Sequence, residues 1–217
     1  MIEEIELLDK KYQANQYNGN KINHTNHHYT VISGEIPILL SAPHAVNQGR
    51  DGKIKKAEIH TGGITEYLCK KCNCYGIIRN YNELDDPNYD NFGVGLAYKE
   101  QILKIVKEKN IKLVLDIHGC NSQHNFDFDI GTNDKKNLNG QEKIVKILKD
   151  TLNTIGKTEI DNYFKASLDG NISKYISHNS NIPSIQLEIS SKFRTEKQYL
   201  EQFIMSLQKV IETISNR

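Results

Sequence analysis

The sequence predicts an α/β fold, a three-layer sandwich in which helices cover both faces of a mostly parallel mixed sheet. Two observations carry this prediction. Residues 113–117 are a short, mostly apolar run with the length and composition of a buried strand, and residues 184–189 are predicted to form another. Residues 96–109 and 141–152 instead space their apolar side chains as amphipathic helices do. Strands that alternate with helices in this way are typical of a layered α/β domain.

The remaining elements can be assigned in chain order. Residues 1–28 form a polar N-terminal segment. Two apolar runs then flank Gly34-Glu35, which predicts a hairpin-like entry into the sheet. The glycine-containing stretch at 48–56 predicts a loop, and the very polar stretch at 80–90 predicts a second loop of functional interest. Further strands are expected at 77–79, 126–130 and 162–165, and further helices from Ala57, at 169–178 and at 196–214.

Composition limits the classes of protein that need to be considered. A chain of 217 residues with 37 % hydrophobic content predicts a single domain, residues 1–217. The formal net charge is +1, so neither a nucleic acid nor a membrane surface is expected as a partner. No apolar run approaches the length of a membrane span, and the first residues are acidic where a signal peptide is basic. These features predict a cytoplasmic protein.

Three of the four cysteines, Cys69, Cys72 and Cys74, lie close together in sequence. Such a cluster could bind zinc, but a closed site needs a fourth ligand, and no second cysteine pair is present. In a reducing compartment we expect small buried thiols here rather than disulfides or a metal site.

Three predicted strands end in residues that suit metal chemistry. Pro43 stops one strand, so His44 leaves the sheet at its end. Asp116 and His118 are two residues apart on another strand and therefore share a face. A carboxylate in that position is a common hydrogen-bond partner of a metal-binding histidine, although a core His–Asp pair is the alternative. Glu188 lies in the third strand.

A catalytic zinc site uses three protein ligands and keeps one position open. His44 and His118 fit two of these positions, and Glu58, Asp116 and Glu188 are the candidates for the third. Glu188 lies between apolar residues, and burial raises the pKa of a carboxyl, which suits a general acid/base. We therefore favour Glu58 as the third ligand, with zinc as the metal and manganese or cobalt as alternatives.

Several motifs resemble the signatures of the N-formylglutamate amidohydrolases. They are Ser-Ala-Pro-His-Ala at 41–45, Asp-Ile-His-Gly at 116–119 and Ile-Gln-Leu-Glu-Ile at 185–189, with Asp-Phe-Asp-Ile-Gly-Thr at 127–132 and Asp-Gly-Asn-Ile-Ser at 169–173. The resemblance implies the phosphorylase/hydrolase-like fold shared with zinc carboxypeptidases. It also implies His44 and His118 as ligands and Glu188 as the catalytic carboxylate.

The run from Glu58 to Thr61 resembles the Glu-x-x-Thr of poly-γ-glutamate hydrolases, which supplies a metal ligand there. The chain departs from both families by a loop of about a dozen residues between His44 and Glu58. Next to this ligand we expect His60 and Thr61 to line the substrate pocket.

Arg79 and Arg194 are the candidates for binding a substrate carboxylate. Each lies near one of the motifs, and arginines in these places bind the substrate carboxylate in the resembled family; ordinary surface arginines are the alternative. We therefore predict a metal-dependent amidohydrolase of a small carboxylate-bearing substrate, such as an N-acyl amino acid. The alternatives are a poly-γ-glutamate or peptidoglycan-type amidohydrolase or carboxypeptidase, and a non-catalytic metal- or ligand-binding domain.

Overall fold

A seven-stranded mixed sheet flanked by helices forms the body of the protein in the computed structural model, which describes residues 1–20 and 28–216. The predicted α/β sandwich is therefore confirmed. The strands are β1 (Tyr29–Ile32), β2 (Ile36–Ala42), β3 (Gln48–Arg50), β4 (Lys53–Lys55), β5 (Cys74–Arg79), β6 (Leu113–Cys120), β7 (Phe128–Gly131), β8 (Thr158–Ile160) and β9 (Ser184–Ser190). The helices are α1 (Ile2–Tyr17), α2 (Thr61–Cys72), α3 (Gly93–Glu108), α4 (Glu142–Leu152), α5 (Ile172–Ser180), α6 (Ser191–Thr195) and α7 (Lys197–Ser215).

The strand order places the three predicted site strands side by side. It runs β1-β5-β2-β6-β9-β7-β8, and the four strands β5, β2, β6 and β9 are parallel. In the register of β6 with β9, His118 is the partner of Glu188. Ligands of open α/β sheets bind at the carboxyl ends of such strands. The topology therefore brings the ends of β2, β6 and β9 to one edge of the sheet.

Alternating side chains of the central strands fill two apolar layers. On one face, Leu40 and Leu115 pack with apolar residues of α2, α4 and α7. On the other face, Leu39 and Val114 pack with α3 and α5. This alternation has the period of two that a strand imposes, and burial on both faces explains the near-continuous apolar runs.

Three local predictions are wrong. The strands around Gly34 do not form a hairpin, because β5 lies between β1 and β2 and pairs with both. Residues 48–56 are not an open loop, since β3 and β4 pair there as a small antiparallel sheet. The edge strand is Thr158–Ile160 rather than residues 162–165, and it pairs with β7.

The polar N-terminal segment contains a helix that the sequence analysis did not predict. Helix α1 buries Ile5, Asp9 and Tyr12, and the Asp9 carboxylate accepts a hydrogen bond from Gly63 N at 3.1 Å. A Cβ at Gly62 would lie 2.5 Å from the Tyr12 ring, so only glycine lets α1 approach α2 this closely. Residues 21–27 of the segment lie outside the described residues. No helix among the described residues is long and apolar enough to cross a membrane.

The clustered cysteines are free thiols at the end of α2 and the start of β5. Cys69 and Cys74 are buried, and Cys69 Sγ donates to the Tyr75 carbonyl. Burial raises the pKa of Cys72 to about 12, so this thiol stays protonated at neutral pH. In the described part of the chain, the cysteines belong to no group of potential metal ligands.

Candidate metal centre

Three predicted ligands converge at the carboxyl edge of the sheet. His44 Nδ1 lies 2.7 Å from Glu58 Oε1, and His118 Nδ1 lies 3.2 Å from Glu58 Oε2. One potential ligand atom from each of the three residues lies within 4.8 Å of the others. Across residues 1–20 and 28–216, no other group of three such side chains is this close.

The two histidines are held from behind by carboxylates. His44 Nε2 lies 2.8 Å from Asp86 Oδ1, and His118 Nε2 lies 2.8 Å from Asp116 Oδ2. A histidine whose Nε2–H donates to a carboxylate presents the Nδ1 lone pair on its other side. Both Nδ1 atoms face Glu58, so this donor set of two imidazoles and one carboxylate fits a catalytic zinc ion.

Charge interactions keep Glu58, His118 and Asp86 ionised despite their burial. Burial raises the pKa of Glu58, but His44 and His118 outweigh it and hold that pKa well below its ordinary value. Burial lowers the pKa of His118, but Asp116 and Glu58 raise it well above its ordinary value. For Asp86, His44 and Arg50 overcome burial and keep the pKa below its usual range. The cluster therefore compensates its own charges by close pairing.

Backbone contacts fix the position of Glu58. Its N–H donates to the His44 carbonyl at 2.9 Å, which closes the chain between the two ligands into a loop. Gly119 N donates to Glu58 Oε2 at 2.8 Å. A Cβ at Gly119 would collide with the Arg194 guanidinium, so glycine is the residue that allows Arg194 to pack over the end of β6.

Glu188 lies in the same cavity as the three ligands and is almost fully buried. Gln186 Nε2 donates to its Oε1 at 2.9 Å, and Gln186 Oε1 in turn accepts from Asn171 Nδ2 at 2.5 Å. Burial is the main cause that raises the pKa of Glu188 to about 7, with a further contribution from Glu58. Such a carboxyl can both accept and donate a proton near neutral pH.

The site opens into a cavity of about 880 Å³. Five cationic side chains line it, against two carboxylates, Glu58 and Glu188. The wall made by residues 163–168 adds aromatic rings, and His124 stacks there on Phe126 with ring centroids 5.0 Å apart. The cationic residues are Arg50, Lys55, Lys56, Lys165 and Arg194.

The four residues predicted to bind substrate lie in different places. Arg194 lines the cavity, but it donates to the carbonyls of residues 59, 120 and 189. Arg79 is a correction, since its buried guanidinium pairs with Asp85 and binds the Tyr81 carbonyl away from the cavity. Thr61 is a second correction, because it is buried and its hydroxyl donates to the Glu58 carbonyl.

His60 is the third correction to the predicted pocket wall. It does not line the cavity; its Nδ1 contacts the Arg194 carbonyl at 2.7 Å. His60 and Thr61 therefore brace the start of α2 and the loop that carries Glu58. The contact of His60 with Arg194 links the residue that precedes α2 to α6.

Three residues of the site, Asp86, Arg50 and Gln186, were not predicted from the sequence. Asp86 lies in the polar loop at 80–90, for which the sequence predicts a functional role but no specific residue. Arg50 contacts Asp86 Oδ2 through Nε at 2.9 Å and through a terminal nitrogen at 2.5 Å. Gln186 precedes Glu188 by two residues on β9, so the strand period that aligned Asp116 with His118 could have identified it.

Comparison with known proteins supports the fold. The structure is similar to a bacteriophage poly-γ-glutamate hydrolase, with a TM-score of 0.55 and 13 % identity over 88 % of this chain and 92 % of that one. It is also similar to gene product Atu2144 from Agrobacterium tumefaciens, with a TM-score of 0.65 and 8 % identity over 87 % and 93 % of the two chains. At these identities the likeness concerns the fold alone. No protein-family model and no curated protein sequence matches the chain.

Proposed function

We propose that the protein is a metal-dependent amidohydrolase that cleaves an amide bond next to a carboxylate. The observation that carries this proposal is the placement of the His44–Glu58–His118 cluster and the raised-pKa carboxyl of Glu188 in one cavity. The similarity in fold to a bacteriophage poly-γ-glutamate hydrolase supports it, since that protein is named as a hydrolase of poly-γ-glutamate.

In this proposal His44, Glu58 and His118 hold a zinc ion, with manganese or cobalt as alternatives. The ion would lower the pKa of water toward ~7 and polarise the substrate carbonyl. Asp86 and Asp116 keep the Nε2–H tautomer of the two histidines, which leaves each Nδ1 free to act as a ligand.

Glu188 acts as the general acid/base. It accepts a proton from the attacking water, and it returns that proton to the amide nitrogen as the C–N bond breaks. Gln186 donates to Glu188 Oε1, and none of the described residues donates to the other carboxylate oxygen. Glu188 can therefore exchange a proton through that second oxygen while the first stays fixed.

The substrate is proposed to be a small carboxylate-bearing amide, and two classes fit. N-acyl amino acids, including N-formylglutamate, follow from the motif resemblance. A γ-glutamyl chain is the second candidate, and the size of the cavity favours it. A volume of about 880 Å³ is near the upper end of the range for drug-sized ligands, so it exceeds what an N-formyl amino acid occupies.

Turnover tests this proposal directly. Purified protein should be treated with a chelator, reloaded with Zn²⁺, Mn²⁺ or Co²⁺, and assayed for free amine released from N-acyl amino acids and γ-glutamyl oligomers. We expect hydrolysis that chelation abolishes and metal restores. Metal binding without hydrolysis of any probe would favour the non-catalytic alternative, a domain that binds a metal or ligand.

A further inference from the structure

One wall of the cavity is a hairpin that lies between two of the proposed ligands in the chain. Strands β3 and β4 follow His44 and precede Glu58, and their turn is Asp51-Gly52. Both turn residues have positive φ, 52° and 71°, as a two-residue hairpin turn of type I′ requires.

The base of the hairpin is fixed to the body of the protein. Gly49 N donates to the Asp85 carbonyl at 3.1 Å, and Gln48 Nε2 donates to the Val46 carbonyl at 2.9 Å. Arg50 pairs with the buried Asp86 and lies over the Tyr89 ring, 4.6 Å from its centroid. The hairpin therefore holds its side chains at a set position beside the metal centre.

The hairpin presents more positive than negative charge to the cavity. Arg50, Lys55 and Lys56 all line it. Arg50 is compensated by Asp86, and Lys55 Nζ lies 3.6 Å from Glu58 Oε1. No carboxylate of the described residues lies within 4.0 Å of Lys56, so this charge is uncompensated. Lys165 adds a cation on another wall, and its nearest acidic oxygen is 4.0 Å away.

We propose that the hairpin forms an anion subsite that binds a second carboxylate of the substrate, separate from the carboxylate next to the cleaved amide. This inference rests on the proposed function and specifies its substrate as a molecule with at least two carboxylates. Phosphate sites usually add converging backbone N–H groups. Here the N–H of Ala57 donates to Asn47 Oδ1 and that of Glu58 to the His44 carbonyl, so these groups are already used.

The chain offers a matched control for this subsite. Lys53, Lys55 and Lys56 are all exposed, and Lys53 lies on the same strand as Lys55 but does not line the cavity. Lys53→Gln therefore removes one positive charge from the same hairpin without altering the cavity wall, and it is matched by the single substitution Lys56→Gln, which removes one charge from that wall. Lys55→Gln with Lys56→Gln removes the two lysines that face the cavity.

Binding should be measured by calorimetry at low ionic strength, with full-length protein that carries Glu188→Gln to prevent turnover. The probe is a γ-linked glutamate trimer, compared with the same trimer in which two α-carboxylates are amides. We expect the paired Lys55 and Lys56 substitutions to weaken binding of the charged trimer about tenfold, and Lys53→Gln to weaken it less than about twofold. The amidated trimer should bind weakly to every variant, and added salt should reduce the difference.

Several results would overturn the subsite. They are an equal loss with Lys53→Gln, equal affinity for the two trimers, no binding of the charged trimer, and tighter binding of inorganic phosphate than of the trimer. Turnover separates this inference from the proposed function. If binding depends on the lysines but the unsubstituted protein hydrolyses no probe, the subsite is supported and the proposed hydrolase function is rejected. If the protein hydrolyses a probe but binding does not depend on the lysines, the hydrolase function is supported and the subsite is rejected.

Discussion

Replacing Glu188 with Gln should stabilise the metal-free protein at pH 8. The pKa of Glu188 is raised from an ordinary 4.5 to about 7, chiefly by burial. The folded protein therefore holds this proton more tightly than the unfolded chain does. The resulting contribution to the free energy of unfolding is fully present below pH 4.5 and is lost as pH rises through about 7. Each pH unit corresponds to about 1.4 kcal/mol, so the ionised side chain costs at most about 3 kcal/mol at pH 8. Gln keeps an oxygen that can accept from Gln186 and never ionises.

Glu58→Gln is the matched control, because it should change stability in the opposite direction. The pKa of Glu58 is held well below its ordinary value by His44 and His118, so the ionised carboxylate stabilises the fold above pH 4.5. Chelator-treated protein should be unfolded in urea at pH 5 and pH 8. The reasoning is refuted if Glu188→Gln is destabilised at pH 8 as much as Glu58→Gln, or if its gain is equal at both pH values.

The same structure makes further predictions. Asp86→Asn and Asp116→Asn should each weaken zinc binding by ~10–100-fold in equilibrium dialysis, because the carboxylates orient His44 and His118; unchanged affinity would contradict that role. Zinc binding at pH 7 should release protons, because the pKa of His118 is raised and a metal ligand must be deprotonated. Calorimetry in two buffers with different ionisation enthalpies should detect this release, and a binding enthalpy that is the same in both buffers would exclude it. Lys99→Met should lower the free energy of unfolding by about 2–4 kcal/mol, because the buried ammonium donates to three oxygens. Lys104 is exposed, so Lys104→Met is the control and should change the free energy of unfolding by less than about 0.5 kcal/mol.

The central sheet and the positions of two candidate site residues could be predicted because their signals are local. The segments that became β6 and β9 are buried on both faces; β6 is mostly apolar, and β9 alternates polar residues with Ile185, Leu187 and Ile189. His118 and Glu188 lie near the carboxyl ends of these strands. Neighbouring parallel strands end at the same edge of the sheet, which is where open α/β sheets bind their ligands. The strand period of two also placed Asp116 correctly on the same face as His118, 2.8 Å from its Nε2.

Pairing between distant strands could not be predicted in the same way. Gly34 predicts a hairpin of β1 and β2, but β5 lies between these strands and pairs with both. The residues of β1 and β2 themselves contain no signal that a third strand inserts between them. Asp86 is similar: the polar loop at 80–90 contains several acidic residues, and only the tertiary structure places Asp86 behind His44. The β3–β4 hairpin is different, because its Asp51-Gly52 turn is a local signal that the prediction of a loop at 48–56 did not use.

Helix α1 was missed although the sequence carries a signal for it. Ile5, Asp9 and Tyr12 are spaced by four and three residues, which is one face of a helix. The central member of this face is a charged residue, and its burial is favourable because Asp9 accepts from Gly63 N. A hydrophobic pattern alone therefore could not reveal the buried face.

The position of the bound metal tests the account most directly. A crystal of the full chain grown with zinc, with anomalous data collected at both sides of the zinc edge, would locate the ion. We predict one strong peak within ~2.2 Å of His44 Nδ1, His118 Nδ1 and an oxygen of Glu58, with Glu188 in the same cavity but outside bonding distance. A zinc ion bound by Glu188 in place of Glu58, or bound away from His44 and His118, would contradict the account.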